Sequence, residues 1–294
     1  MKVLVTGAAG MVGRAVAAYG TAQGEAVAAF SHQSLDITDA AKLSEAFAEE
    51  RPEVVVNCAA WTDVDGCEFD PIRARRDNAQ GPELLARACE RAGALLITIS
   101  TDYVFDGEKD GFYTQRDQPN PKSIYGASKL EGERLAQTVC ANTIVVRSGY
   151  IFGSGGRNFL STLIARARRG EDLKAISDML GTPTYAPHLA RQLYRLAQLA
   201  LPGIYHVVNA GDGTSFEGFA NYALASAGLL QSRLESVRLS ELNRPAARPR
   251  NSRLRCLLSN ALGLEPLPSW QDAVKEFIAL DSSSPSAIGT EEPI

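Results

Sequence analysis

Five short runs of the chain are apolar at nearly every position: Val3-Leu4-Val5, Ala26 to Phe30, Val54-Val55-Val56, Leu95 to Ile99 and Thr143 to Val146. Each is bounded by turn residues and followed by a stretch long enough for a helix. A sheet with one face in water alternates apolar and polar residues. Runs without that alternation fit parallel strands covered on both faces. Repeated β-α units of this kind predict an α/β fold, a doubly wound parallel sheet with right-handed crossovers. Beyond about residue 150 the pattern loosens, and Pro183, Pro187, Pro202, Pro245, Pro249, Pro266 and Pro268 divide shorter elements. The expected organisation is a sheet domain over 1–150 that also receives segments around 185–210, and a smaller C-terminal substrate-binding lobe over 151–280. Residues 281–294 are rich in Ser, Pro and Glu and are expected to form a disordered tail.

Composition narrows the class without selecting one. The 294 residues carry 30 Lys+Arg against 34 Asp+Glu, a net charge of −4, and 45% are hydrophobic. Such a chain can build its own core, and it lacks the clustered basic surface that nucleic acid requires. The cysteines (Cys58, Cys67, Cys89, Cys140, Cys256) are odd in number with no C-x-x-C pair, and His32, His188 and His206 lie far apart. Neither a disulfide framework nor a metal site is expected. The absence of an apolar run of about 18 residues argues against a membrane span. Met1-Lys2 leads straight into Val-Leu-Val-Thr-Gly with no signal-peptide pattern, so a reduced, cytoplasmic protein is expected.

The first strand runs into Gly7-Ala8-Ala9-Gly10-Met11-Val12-Gly13, which opens the first helix. In a β-α-β frame the first glycine permits a tight turn, the second lets backbone N–H groups approach a pyrophosphate, and the third lets helix and strand pack closely. The helix N-terminus adds partial positive charge. This predicts a Rossmann-type sheet binding a dinucleotide. The second strand ends Phe30-Ser31-His32, without the carboxylate that holds the ribose of NAD, and Arg14 follows the third glycine, where it can meet a 2′-phosphate. NADPH is therefore the expected cofactor, with NADH as the alternative. Asp36, beside Ile37, can bond an adenine amino group, and Asp39 reads as the N-cap of the next helix.

Tyr125-Gly126-Ala127-Ser128-Lys129 puts a phenol and an ammonium four residues apart, on one face of a helix. A lysine cation near a phenol favours the phenolate, which would make Tyr125 a usable acid/base. A third partner is expected at the carboxyl end of a neighbouring strand, where ligands gather in open α/β sheets. Ser100-Thr101-Asp102-Tyr103 ends the Leu95 to Ile99 strand, and spacing alone does not choose between the hydroxyls of Ser100 and Thr101.

The glycine turn, Asn57-Cys58-Ala59-Ala60 after a strand, and Tyr-x-x-x-Lys resemble the extended short-chain dehydrogenase/reductase family. More specific markers run from about residue 1 to 280: Thr62-Asp63-Val64-Asp65 with Glu68, Ser100 to Gly107, Asn158-Phe159, Asp178, Gly181 to Thr184, Arg248 to Leu254, and Leu267 to Trp270. These resemble the branch that reduces the C4 keto group of nucleotide-linked 6-deoxy-4-keto sugars. The resemblance implies a Thr101-Tyr125-Lys129 triad, hydride delivery to C4, and protonation of the alkoxide by Tyr125. It places Lys129 at the nicotinamide ribose, Gly10, Met11 and Val12 at the pyrophosphate, Asp36 and Ile37 at the adenine, and Ala60, Trp61 and Thr62 on the cofactor's far side. Val64, Thr101, Asp102, Tyr125, Tyr150 and Asn158 would meet the sugar substrate, and Arg248 its diphosphate. The implied conversion is dTDP-4-dehydro-L-rhamnose to dTDP-L-rhamnose.

Two positions depart from the family's pattern. Ser148-Gly149-Tyr150 stands where a tryptophan usually packs on the sugar, so Tyr150 would take that place. Members that dimerise through Mg²⁺ carry a glutamate two residues after the third glycine, where this chain has Ala15. No metal is therefore expected, and a monomer or weak homodimer follows. Alternatives are another nucleotide-sugar reductase or epimerase, or a non-catalytic NADP-binding regulator similar to the methionine adenosyltransferase β subunit. A dehydratase fits less well, because Asp102-Tyr103 replaces the Asp-Glu pair of those relatives.

Overall fold

The computed structural model describes residues 1–156 and 158–283, with side chains as far as Leu280. Its first unit is β1 (Lys2–Thr6), α1 (Met11–Ala22) and β2 (Ala26–Phe30). The chain then crosses to the other side of β1 through α2 (Ala40–Glu50), whose N-cap Asp39 accepts from the Ala41 and Lys42 amides, and enters β3 (Val54–Asn57). Two short helices, α3 (Val64–Phe69) and α4 (Pro71–Arg75), lead through a π-helical turn at Arg76–Gln80 into α5 (Gly81–Ala92). Next come β4 (Leu95–Thr101), α6 (Ile124–Val139) and β5 (Thr143–Ser148). After α7 (Phe159–Arg168) the chain returns to the sheet with α8 (Ala186–Leu199) and β6 (Gly203–His206), then leaves it for α9 (Phe216–Ser226) and α10 (Trp270–Ser283).

The six strands form one parallel sheet in the order β6-β5-β4-β3-β1-β2. Strand alternation sends Val3, Val5, Val54, Val56 and Ile97 to one face, where they meet Val16 of α1 and Leu189 and Leu193 of α8. Leu4, Val55 and Leu96 face the other way, onto Leu43, Phe47, Leu85 and Cys140. Both faces are covered, which is why the strands are apolar throughout. The order reverses between β1 and β3, so the crevice for a ligand opens at the carboxyl ends of these strands.

A second core lies outside the sheet. Phe152, Leu160, Tyr185, Phe219, Trp270 and Phe277 pack together there. Short pairings tie it: Ile151–Phe152 with Thr184–Tyr185, Leu173–Ile176 with Leu234–Val237, and Leu180–Gly181 with Thr214–Ser215. The helix α10 corrects the expected start of the tail, because Val274, Phe277 and Ile278 anchor it in this core and it continues to Ser283. The rest of the expected tail lies outside the described residues. No described helix is long and apolar enough to cross a membrane.

Candidate active site

The three glycines of the first turn have different surroundings. Gly7 has φ +65°, and a Cβ there would sit 2.7 Å from the Ala59 nitrogen. A Cβ on Gly13 would come within 2.3 Å of the Gly7 carbonyl oxygen, whereas one on Gly10 would meet only that oxygen, at 3.3 Å, and otherwise open space. The outer glycines therefore permit packing, and the middle one keeps a hollow clear at the start of α1. That helix begins at Gly10 with no side-chain cap and no acidic residue in its first turn. Its amide end is thus left positive and uncontested.

Other cofactor candidates border the same end of the sheet. Met11 is covered by Gly153 and Gly156. Arg14 donates from Nε to the Ala9 carbonyl at 2.8 Å, with Cδ against Gly155. The Ser31 hydroxyl, just past β2, lies 3.2 Å from that of Ser34. Burial works to raise Asp36, but the Thr38 amide (2.9 Å) and hydroxyl (2.8 Å) hold its carboxyl below the usual range. Ile37 packs on Gly81, where a Cβ would come within 2.8 Å of its Cδ1. After β3, Ala60, Trp61 and Thr62 form a loop held by an amide the sequence reading missed. Asn78 accepts from the Trp61 amide (2.8 Å), donates to the Trp61 carbonyl (3.0 Å), and reaches the Ser128 hydroxyl (3.2 Å).

Ser123 caps α6 and sets Tyr125 and Lys129 on its inner face, 8% and 5% exposed. Thr101, the last residue of β4, ends that strand on the side that faces Tyr125, and its hydroxyl helps to offset the effect of burial on the phenol. Ser100 points to the opposite side of the strand, where its hydroxyl donates to Glu133, itself paired with Arg147 at 2.6 Å. Alternation along β4 therefore decides between the two hydroxyls: Thr101 faces the site and Ser100 is engaged in the core. One electrostatic expectation is corrected. Burial pushes the Tyr125 phenol up, opposed by the Thr101 hydroxyl, and Lys129 does not depress it. Lys129 Nζ itself donates to the Ile99 carbonyl at 2.8 Å. Burial lowers Lys129 itself to about 8, against the pull of Glu133 and Cys58.

The sugar side is built from three segments. Val64, Trp61 and Tyr103 pack with Tyr125, the two tyrosine rings meeting edge to face at 5.9 Å. Asp102 is buried, accepting from Thr101 (3.1 Å) and from Ser252, and burial pushes it up to about 6. Gly149 makes room for it, since a Cβ there would lie 2.6 Å from the Asp102 carboxyl carbon. Tyr150 has φ +45°, stacks on Phe216 at 4.1 Å, and donates to the Met179 carbonyl at 3.1 Å. Phe216 carried no sequence signal beyond being an aromatic near a helix start.

Two expected substrate residues have other partners in this structure. Arg248 forms a fork on Asp65 (2.9 and 2.7 Å), joined by Arg244 at 3.3 Å. The Arg248 hydrogen bonds hold the Asp65 carboxyl down at about 2, against the effect of burial. Asn158 caps α7 by accepting from Ser161 (3.0 Å), and its amide donates to Gly153 (2.8 Å) and lies 3.5 Å from Met11 Sδ. It is therefore placed beside the glycine turn.

A doubly wound parallel sheet, an uncapped glycine turn at its switch point, and a threonine, tyrosine and lysine gathered at the adjacent strand end define an oxidoreductase of the extended short-chain dehydrogenase/reductase class. Residues 1–282 match the family described as the RmlD substrate binding domain. The chain belongs to that family, the dTDP-4-dehydrorhamnose reductases. It is 40% identical to a dTDP-4-dehydrorhamnose reductase of Streptomyces griseus, covering 93% of this chain and 91% of that one. It is 35% identical to a Streptomyces antibioticus protein named "Probable dTDP-4,6-dihydroxy-2-methyloxan-3-one 4-ketoreductase", covering 100% and 98% of the two chains. The solved dTDP-4-dehydrorhamnose reductase of Bacillus anthracis, in complex with NADP, superposes with a TM-score of 0.92 at 32% identity over 95% of this chain and 100% of that one.

Proposed function

We propose that the protein reduces the C4 keto group of a nucleotide-linked 6-deoxy-4-keto sugar, with dTDP-4-dehydro-L-rhamnose as substrate and dTDP-L-rhamnose as product. The observation that carries this reading is the placement of Thr101, Tyr125 and Lys129 at the carboxyl end of β4, in a sheet whose switch point holds the uncapped start of α1. The hollow at Gly10 fits a pyrophosphate, and the missing carboxylate after β2 fits a ribose bearing a 2′-phosphate, so NADPH is the proposed cofactor. Gly10, Met11 and Val12 would hold the pyrophosphate, Asp36 and Ile37 the adenine, Ser31 and Arg14 the phosphorylated ribose, and the Ala60–Thr62 loop the far side. When bound, the reduced nicotinamide supplies the hydride.

The protein's own groups do the rest. Tyr125 holds its proton firmly, because burial disfavours the phenolate, and it delivers that proton as negative charge grows on the keto oxygen. Thr101 steers the same oxygen toward Tyr125. Lys129 offers a cation to a ribose hydroxyl. Trp61, Val64, Tyr103 and the Tyr150–Phe216 stack exclude water on the sugar side, which strengthens each of these interactions.

A second reading, another nucleotide-linked 4-keto sugar, is favoured by Tyr150 at the usual tryptophan position and by the likeness to the named 4-ketoreductase. One assay separates the possibilities. NADPH and NADH oxidation is followed with a panel of dTDP-, UDP- and GDP-linked 4-keto-6-deoxy sugars. The proposal expects the highest kcat/KM for dTDP-4-dehydro-L-rhamnose with NADPH. Tight cofactor binding without turnover of any sugar overturns it in favour of a regulatory subunit.

A further inference from the structure

Asp102 lies where three segments meet: the end of β4, the turn at Gly149, and the strip around Ser252. Its carboxyl is 3% exposed, and among the described residues its hydrogen-bond partners are neutral. Thr101 donates to Oδ1 at 3.1 Å, and the Ser252 hydroxyl donates to Oδ2. The Thr101 hydroxyl has a single proton to give. Its oxygen already accepts from the Tyr103 amide at 3.1 Å. While Asp102 is ionised, a charge-assisted bond draws that proton to the carboxylate, and Thr101 shows the keto oxygen only a lone pair. With Asp102 neutral, its own proton can face Ser252, whose hydroxyl has the Leu180 carbonyl at 3.4 Å as a second acceptor. The pull on Thr101 is then relaxed.

We propose that Asp102 is a positioning residue: its protonation state, tuned by Ser252, decides whether the Thr101 hydroxyl hydrogen points to the carboxyl or to the substrate's keto oxygen. The inference rests on the reductase reading given above. The titratable groups facing Asp102 are Tyr103 on its own segment, Tyr125 of α6 and Tyr150 after β5, with the Arg248–Asp65 pair beyond Tyr103. Burial pushes Asp102 up to about 6, so both protonation states are reachable under mild conditions. Ionisation of Asp102 therefore lowers kcat as pH rises.

The test follows the Asp102 carboxyl by ¹³C NMR of the full chain from about pH 4 to 9, a window that brackets a raised carboxyl, in wild type, Thr101→Val and Ser252→Ala. Removing either hydroxyl takes a donor from the carboxylate, so each variant should raise the titration midpoint by roughly 1 pH unit. In parallel, kcat is measured against pH for wild type and Asp102→Asn, in which the amide mimics the neutral carboxyl. The wild type should lose activity across the Asp102 midpoint. Asp102→Asn should stay level there and fall only with Lys129, near 8. An unmoved midpoint in Thr101→Val, or superimposable kcat profiles, overturns the positioning role. Failure of the wild type to reduce any keto sugar overturns the reductase reading separately, and the carboxyl titration still decides where the Thr101 hydrogen lies.

Discussion

Ser100 and Thr101 are neighbours in the sequence with opposite fates, because consecutive side chains leave a strand on opposite faces. Thr101 turns to the Asp102 side at the site, while Ser100 joins the buried Glu133–Arg147 pair, whose side chains are 2% and 4% exposed. Removing one member of such a pair leaves an uncompensated charge in the core. Arg147→Met should cost about 3–5 kcal/mol in urea unfolding, and adding Glu133→Leu should recover most of it. A single variant as stable as wild type contradicts this account of the pair. Tyr125→Phe removes the proton donor without disturbing packing and should lower kcat by about 10²–10⁴-fold with little change in KM. Tyr125 and Lys129 were legible in the sequence because one helix turn separates them. Asn78 and Ser252 were not, because their partners Trp61 and Asp102 lie far off along the chain and only the fold joins them.

Among the elements, α1 and its glycine turn give the sharpest contrast. Gly10→Ala sets a methyl 3.3 Å from the Gly7 carbonyl oxygen, a contact a small shift relieves, so the protein should keep most of its thermal stability while NADPH binding weakens about tenfold or more. Gly13→Ala drives a methyl into the Gly7 carbonyl and should lower stability itself. Parallel calorimetric melts and cofactor titrations check both, and equal effects on melting would refute the division of roles. The strands were legible from their apolar runs, but their carboxyl ends extend further than those runs. Asn57, Ser100, Thr101, Arg147 and Ser148 continue the ladder as polar residues. The polar ends mark where the sheet stops serving the core and starts serving the site. Thr6, Asn57 and Thr98 show how this is tolerated: their side chains bond each other across three strands at 2.7 and 3.1 Å.

At the scale of the whole molecule, α3 is joined to the late loop by Asp65, which grips Arg248 and Arg244. The family resemblance implied Arg248 as a diphosphate partner, since charge type was visible in the sequence and the competing carboxylate was not. Asp65 is held at about 2, below its ordinary 3.8, so its stabilising contribution is full above 3.8 and fades as pH falls toward 2. Asp65→Asn should therefore melt below wild type at neutral pH, with the two melting temperatures converging as acid protonates the wild-type carboxyl. A gap that persists at pH 2 would contradict the pairing. The general plan of a parallel sheet and a later lobe was readable from periodicity. Segments around 185–210 were also expected in the sheet domain, and which strand they join is set by contacts across the chain, with β6 pairing Gly203 to Ile144.

The most direct measurement of the central claim is a turnover with NADPH deuterated at the nicotinamide C4, comparing wild type with Tyr125→Phe on dTDP-4-dehydro-L-rhamnose. The account predicts deuterium at C4 of the dTDP-L-rhamnose formed by wild type, and a rate at least about 100-fold lower for Tyr125→Phe. Product without deuterium at C4, or an undiminished rate in the variant, would contradict it.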